Sequence, residues 1–95
     1  MDTNFQKMSR ILKAVSDPKR LQIVHMLTKG ELGASQILAS FNITQPTLSH
    51  DMHVLLSSGL VSERRMGKHV LYSLEREAVE AFSSELAGML RMKKR

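Results

Sequence analysis

The side chains best suited to recognition lie between residues 34 and 60, where two short helices are predicted around a tight turn. In the second helix, from about Gln45 to Ser58, apolar residues recur at the spacing of one helical stripe, which turns polar residues outward. Short hydroxyls, an amide and two imidazoles are groups that can contact the edges of DNA bases. The pattern therefore predicts a helix that reads DNA. Its candidate DNA-binding residues are Thr44, Gln45, Pro46, Thr47, Ser49, His50 and His53.

Three of these candidates are favoured as sequence readers. Gln45, Thr47 and Ser49 combine a helix N-terminus, which attracts phosphate, with side chains that form hydrogen bonds. A glutamine can pair with adenine through two hydrogen bonds. The ordinary alternative for each residue is helix capping or solvation.

The run His50-Asp51-Met52-His53 also allows a metal-binding interpretation. His50 and His53 share a helix face, yet two imidazoles without further ligands do not make a structural zinc site. A DNA contact or an exposed position is favoured for both, with a structural role as the other alternative. Asp51 would repel phosphate, so we expect it to accept a hydrogen bond from a base amine or to pair with a neighbouring cation.

Composition limits the classes of partner. The chain has 95 residues, enough for one domain spanning residues 1–95. Its net charge of +5 is typical of a protein that binds nucleic acid or an anionic membrane surface, and a merely soluble basic domain is an equal alternative on charge alone. It contains no cysteine, which excludes disulfides, thiol redox sensing and thiolate metal sites. No apolar run reaches membrane-spanning length and the first residues are too polar for a signal peptide, so we expect a cytoplasmic protein without a membrane partner.

The remaining periodicity predicts a mainly helical fold with a small β-hairpin. Two β-prone runs flank a glycine-containing turn after the DNA-reading helix, which is the pattern of a winged helix-turn-helix with about five helices and two to three short strands. The predicted elements are a helix ending near Ser16, a helix from Pro18 to about Lys29, a possible short strand at 31–34, a helix at 35–40, the helix at 45–58, a hairpin or wing at 62–74, and a last helix at about 76–92. Cations near the hairpin tip are expected to contact phosphate or the minor groove. They are Arg64, Arg65 and Lys68, with a simply solvated hairpin as the alternative.

Several details of the helical segments are also predicted. Ser16 or Asp17 caps the second helix, and Thr44 caps the DNA-reading helix. Leu21 belongs to the apolar face of the second helix. His25 lies beside that face and is expected to be partly buried. Asn42 suits a left-handed position in the turn before the DNA-reading helix.

The first and last helices both carry apolar stripes, and one small core has limited area to cover both. We therefore expect them to pack across the two-fold axis of a homodimer, with packing inside the monomer as the alternative. The predicted interface residues are Phe5, Met8, Ile11, Leu12, Val79, Phe82, Leu86 and Met89.

Four motifs follow one another between residues 14 and 74: SDPKRL at 16–21, ITQPTLSH at 43–50, GLV with RRMGK at 59–68, and LYSL at 71–74. In this order and spacing the chain resembles the ArsR/SmtB family of winged-helix transcriptional repressors. The resemblance implies a homodimer that binds a partly palindromic operator on double-stranded DNA and is released by an effector. The sequence itself leaves three alternatives open, a protein effector, a small-molecule effector or no effector.

The chain departs from this family at its metal sites. Many relatives bind metals through a Glu-Leu-Cys-x-Cys motif, whereas this chain has Glu31-Leu32-Gly33-Ala34-Ser35. Others use histidines of the last helix, which contains none here, and its glutamates Glu77, Glu80 and Glu85 alone make a poor transition-metal site. We therefore expect no metal at those positions, no cofactor, and metal-independent regulation.

The predicted function is sequence-specific repression of transcription. An enzyme is excluded by the absence of a cysteine nucleophile, a glycine-rich phosphate loop, a HExxH motif and a Gly-x-Ser-x-Gly elbow. Two alternatives stay open. One is a winged-helix module that works through a partner protein, and the other is a metal sensor with an atypical site built from His25, His50, His53 or His69.

Overall fold

In the computed structural model, which describes residues 3–94, the chain forms five helices and a three-stranded antiparallel sheet. The elements are α1 (Thr3–Ala14), α2 (Pro18–Leu27), β1 (Leu32–Gly33), α3 (Ala34–Leu38), α4 (Gln45–Ser57), β2 (Val61–Met66), β3 (His69–Leu74) and α5 (Arg76–Leu90). The predicted mainly helical class with a β-hairpin is confirmed. Residues 1, 2 and 95 of the predicted domain lie outside the described residues.

Side-chain caps fix where two of the helices begin. The carboxylate of Asp17 accepts a hydrogen bond from the backbone N–H of Arg20 at 3.1 Å, and this bond lowers the pKa of Asp17. The hydroxyl of Thr44 accepts a hydrogen bond from the backbone N–H of Thr47 at 3.3 Å. In both helices a proline occupies the first turn, where its missing N–H costs nothing. Both caps were predicted from the sequence, and α4 therefore starts at a defined residue.

The sheet has the strand order β1-β3-β2. β2 and β3 form the hairpin, with Met66 paired to His69 across a two-residue turn. Gly67 takes φ +64° at the first turn position, a conformation that glycine adopts without steric cost. The predicted short strand before α3 is β1, and it pairs with β3 at Leu32 and Gly33. The hairpin is thereby attached along one edge to the segment that leads into α3.

The core lies between the helices and the inner face of the sheet. The stripe predicted for α4 is buried, with Leu48 and Met52 no more than 3% exposed and Leu55 fully buried. The other buried members of the core are Ile11, Ile23, Leu27, Ile37, Leu60, Val61 and Tyr72. Because one face of α4 is held by this core, its other face is presented to solvent in a fixed orientation.

Three predictions for α2 and the turn after α3 are wrong. α2 buries Ile23 and Leu27, whereas Leu21 and His25 are exposed. Leu21 and His25 are each two residues from Ile23, which places them about 200° around the helix, away from the core. Asn42 is not left-handed, because no described residue other than glycine has a positive φ. Tight backbone hydrogen bonds from residues 40 and 41 to residues 37 and 38 close the end of α3 instead.

The predicted interface on α1 divides into two faces. Met8 and Ile11 are only 2% and 8% exposed within the single chain, which leaves them little surface for a partner. For these two residues the burial supports packing inside the monomer, which was the alternative to a dimer interface. Phe5 and Leu12 remain 56% and 39% exposed, because they lie on the side of α1 that turns away from the core.

α5 packs on the core through its first half only. Val79 and Phe82 contact the core while partly buried, and Leu86 is also half-buried. Beyond them Met89 is 39% exposed and Leu90 is 71% exposed. The free apolar surface of α5 therefore lies at its C-terminal end. No described helix has the length and hydropathy to cross a membrane.

Candidate nucleic-acid interface

The outer face of α4 is formed by the residues that the helical periodicity assigned to it. Gln45, Ser49, His50 and His53 are all exposed, and so are Pro46 and Thr47. The hydroxyls of Thr44 and Thr47 lie 2.9 Å apart and are partly engaged by the cap, as the capping alternative predicted for Thr47. The remaining exposed groups are amide, hydroxyl and imidazole tips that donate and accept hydrogen bonds.

A groove of about 410 Å³ connects this face to the hairpin. Gln45 and Ser49 line it from α4, and Lys68 and His69 line it from the hairpin turn. Residues of β1, α3 and β3 complete its lining. The structure thus brings together the start of the predicted reading helix and the tip of the predicted wing.

The three cations predicted for the wing differ in what they contact. Arg65 and Lys68 are exposed and form no ion pair with another described residue. Arg64 forms two hydrogen bonds to the carboxylate of Glu31, from Nε at 2.8 Å and from the terminal nitrogen at 2.9 Å. This pair lowers the pKa of Glu31 and raises that of Arg64. Arg64 thus connects β2 to the segment before β1 and is not a free cation.

Asp51 is the acidic residue of α4, and it points inward. Its exposure is 2%, and its carboxylate lies 2.9 Å from the Lys19 ammonium and 3.2 Å from a terminal nitrogen of Arg20. The contact of Oδ2 with Lys19 is ionic and lacks the direction of a hydrogen bond. Of the two predicted roles, pairing with a cation is confirmed and contact with a base amine is wrong, because a buried carboxylate cannot reach DNA.

Arg20 completes this buried cluster. Its Nε donates a hydrogen bond of 2.7 Å to the carbonyl of Ala14 at the end of α1. One guanidinium therefore joins the end of α1, the start of α2 and the middle of α4. On the helical wheel Asp51 lies about 40° from Leu55 and about 60° from Leu48, at the edge of the apolar stripe, and this position was the sequence signal for its burial. The sequence reasoning offered a cation partner for Asp51, but it predicted neither the burial of this carboxylate nor the part played by Arg20.

The histidines do not converge on a common point. Within residues 3–94, no group of three or more histidine, aspartate and glutamate side chains is placed to hold a metal ion. The positions where the resemblance expects a cysteine pair carry Gly33 and Ser35, at the end of β1 and in the first turn of α3.

A helix-turn-helix formed by α3 and α4, followed by a β-hairpin on the same side, defines a winged helix-turn-helix protein. Residues 17–63 match the family model described as a bacterial regulatory protein of the arsR family. The chain is 40% identical over 83 residues to the arsenical resistance operon repressor of Staphylococcus xylosus, covering 87% of this chain and 80% of the relative. The chain belongs to the arsR family, a family of DNA-binding transcriptional regulators and not of enzymes.

Two solved structures share the fold over most of their length. HlyU from Vibrio cholerae, whose name describes a transcriptional activator, superposes with a TM-score of 0.79 at 31% identity, over 95% of this chain and 98% of that one. The second structure is the homodimeric winged helix-turn-helix DNA-binding domain of a possible ArsR-family regulator from Mycobacterium bovis. It superposes with a TM-score of 0.74 at 25% identity, and the superposition covers 96% of this chain and 88% of that one.

Proposed function

We propose that the protein is a homodimeric, metal-independent transcriptional repressor that binds a partly palindromic operator with α4 and with the wing formed by β2 and β3. The observation that carries this proposal is the groove between α4 and the wing tip, which has uncharged hydrogen-bonding groups on the side of α4 and the exposed cation Lys68 on the side of the wing. Base edges require the first kind of group and phosphates require the second.

Each side of the groove has its own role. On α4, Gln45, Ser49 and His50 contact base edges in the major groove, with His53 and the residues around the Thr44 cap beside them. On the wing, Arg65 and Lys68 bind phosphate and supply affinity that is independent of sequence. Arg64 binds phosphate only when a phosphate replaces Glu31 as its partner, because the Glu31 carboxylate otherwise neutralises the guanidinium charge.

The homodimer is supported by the exposed apolar residues Phe5, Leu12, Met89 and Leu90 of α1 and α5. Apolar surface at two helices that flank a DNA-binding unit is suited to a two-fold interface. The homodimeric M. bovis neighbour is consistent with it. Two copies of α4 then enter successive major grooves, and the half-sites lie about 34–36 Å apart or a multiple of this distance.

The test uses duplex DNA that the full-length protein itself selects from a random pool, compared with random duplex of equal length. Fluorescence anisotropy is measured from about 50 to 200 mM salt. Selective binding should weaken by about 10³ to 10⁵ over this range if six to ten phosphates are contacted. A reporter gene that carries the selected sequence in its promoter should then be repressed. Activation of the reporter would show that the protein is an activator and not a repressor.

Two outcomes would overturn the proposal. Weak and equal binding to both duplexes would indicate a winged helix that works through a partner protein. Binding to the selected duplex only after zinc or nickel is added would indicate a metal-dependent regulator.

A further inference from the structure

A second cleft lies on the opposite side of α4 from the wing. It has a volume of about 670 Å³ and runs between α1 and the C-terminal half of α4. Lys7, Arg10 and Lys13 line it from α1, and His53 and Ser57 line it from α4. Ile11, Ala14 and Val54 also line it, between these polar residues.

No ion pair with a described residue balances the charge that α1 brings to this cleft. Lys7, Arg10 and Lys13 are exposed and form no ion pair with another described residue, and the described part of α1 contains no acid. Arg20 at the back of the cleft is already paired with Asp51. Like charges three residues apart repel one another on a helix, so an external anion would stabilise this arrangement.

The cleft is continuous with the candidate DNA-reading face. His53 belongs to the exposed face of α4 and also lines the cleft, so no other element separates the two. The outer face of α4 is therefore flanked by cations on both sides, by Lys68 of the wing next to its first turns and by the α1 cations next to its last turns. A duplex that lies against α4 carries phosphates on both sides of its groove.

We propose that Lys7, Arg10 and Lys13 bind phosphates of the operator backbone beside α4, which makes α1 a second backbone clamp opposite the wing. This inference rests on the proposed function, because it takes the ligand to be the DNA that α4 reads. The ligand chemistry is phosphate, and the tests separate DNA phosphate from a free phosphorylated small molecule.

The first test compares two triple variants with equal loss of charge. Lys7→Gln/Arg10→Gln/Lys13→Gln removes the α1 cations, and the control Lys29→Gln/Lys93→Gln/Lys94→Gln removes three exposed cations elsewhere. For binding to the selected duplex, the slope of the logarithm of the binding constant against the logarithm of the salt concentration is measured. This slope should become less steep by about 0.9 for each lost phosphate contact, and therefore by about 2 for each contacting residue in a dimer. The control should keep the wild-type slope. An unchanged slope in the α1 variant, or equal flattening in both variants, would overturn the inference.

The second test keeps the charge and changes the side chains. Lys7→Arg/Arg10→Lys/Lys13→Arg should retain the wild-type slope, because phosphate binding depends more on the positive charge than on the shape of the cationic group. Sedimentation at the binding concentration should find all variants in the wild-type oligomeric state. Dissociation of the Gln variant alone would overturn the inference and assign these cations to the subunit interface.

The third test addresses a free anion. Inorganic pyrophosphate is titrated calorimetrically into wild-type protein and into the Gln variant. Binding that is lost in the variant while its DNA salt slope stays normal would assign the cleft to a small phosphorylated molecule and overturn the DNA assignment.

If wild-type protein binds no DNA selectively, the proposed function itself fails. A selective wild type with an unchanged α1 variant would refute only the clamp.

Discussion

At the scale of the single residue, Gln45 has the most specific predicted effect. It is exposed in the first turn of α4 and lines the groove toward the wing. Gln45→Ala should relax the preference at one base position, at a cost of about 1–3 kcal/mol for the preferred base pair. Anisotropy on a set of duplexes with single base-pair changes measures this. Gln22→Ala, an exposed glutamine of α2, is the control, and an equal loss on every duplex would contradict the assignment of Gln45 as a reader.

Tyr72 gives the fold a specific dependence on pH. It is 8% exposed on the inner face of β3, and burial raises the pKa of its phenol above the ordinary value of 10.0. The folded state thus holds this proton more tightly than the unfolded state. The resulting stability is present below the unfolded pKa and is lost as the pH rises through the folded pKa.

Tyr72 is the single tyrosine of a chain without tryptophan, so phenolate absorbance reports on it alone. The native protein should titrate at higher pH than the urea-unfolded protein. The free energy of unfolding should fall as the pH increases above about 10. Coincident titration curves for the folded and unfolded protein would show that the burial of Tyr72 has no such effect.

At the scale of the elements, the attachment of α4 to α2 depends on Asp51. Asp51→Ala would leave Lys19 and Arg20, with side chains 25% and 18% exposed, without their anionic partner. The free energy of unfolding should fall by about 2–3 kcal/mol, as measured by urea denaturation. Glu85→Ala, at an exposed position of α5, should change it by less than about 0.5 kcal/mol. Equal small losses would mean that the buried cluster contributes little to stability.

The wing is expected to contribute affinity without sequence preference. Arg65→Ala should weaken binding to selected and random duplex alike. Glu31→Gln should have the opposite effect, because it releases the Arg64 guanidinium and removes a negative charge beside the wing. Anisotropy at one salt concentration compares the two variants. A loss confined to the selected duplex for Arg65→Ala, or no gain for Glu31→Gln, would refute these roles.

Local patterns predicted the elements well, since caps, proline positions, glycine turns and apolar spacing all act within a few residues. The start of α4 at the Thr44 cap and the hairpin around Gly67 are examples. The ion pairs of Asp51 and Arg64 join residues 31 and 33 positions apart, and no local pattern contains that information. The rotation of α2 that exposes Leu21 likewise depends on packing against the whole core.

At the scale of the whole molecule, the described chain is elongated. It measures 55 × 24 × 23 Å, and its radius of gyration of 14.9 Å exceeds the value of about 13 Å for a compact chain of this length. An elongated chain exposes more apolar surface than its own core can cover. The ends of α1 and α5 that carry Phe5 and Leu90 are part of that surface.

Leu90→Glu tests the dimer without disturbing the monomer core. Leu90 is 71% exposed, whereas Phe82 of the same helix packs partly on the core and would confound the result. Sedimentation should find Leu90→Glu dissociated, because a carboxylate would be buried in the interface. Leu21→Glu, the same change at a residue of α2 that is 55% exposed, should remain dimeric. An intact Leu90→Glu dimer would move the interface away from the end of α5.

The guanidinium of Arg20 has a mechanical consequence. It is bonded to the last turn of α1 and to Asp51 in the middle of α4, so these two helices are connected through one rigid, half-buried group. A displacement of α1 would therefore also displace α4. A ligand or partner that shifted α1 by an ångström would change the spacing of the two reading helices in a dimer, and it could release an operator without touching the DNA-binding surface.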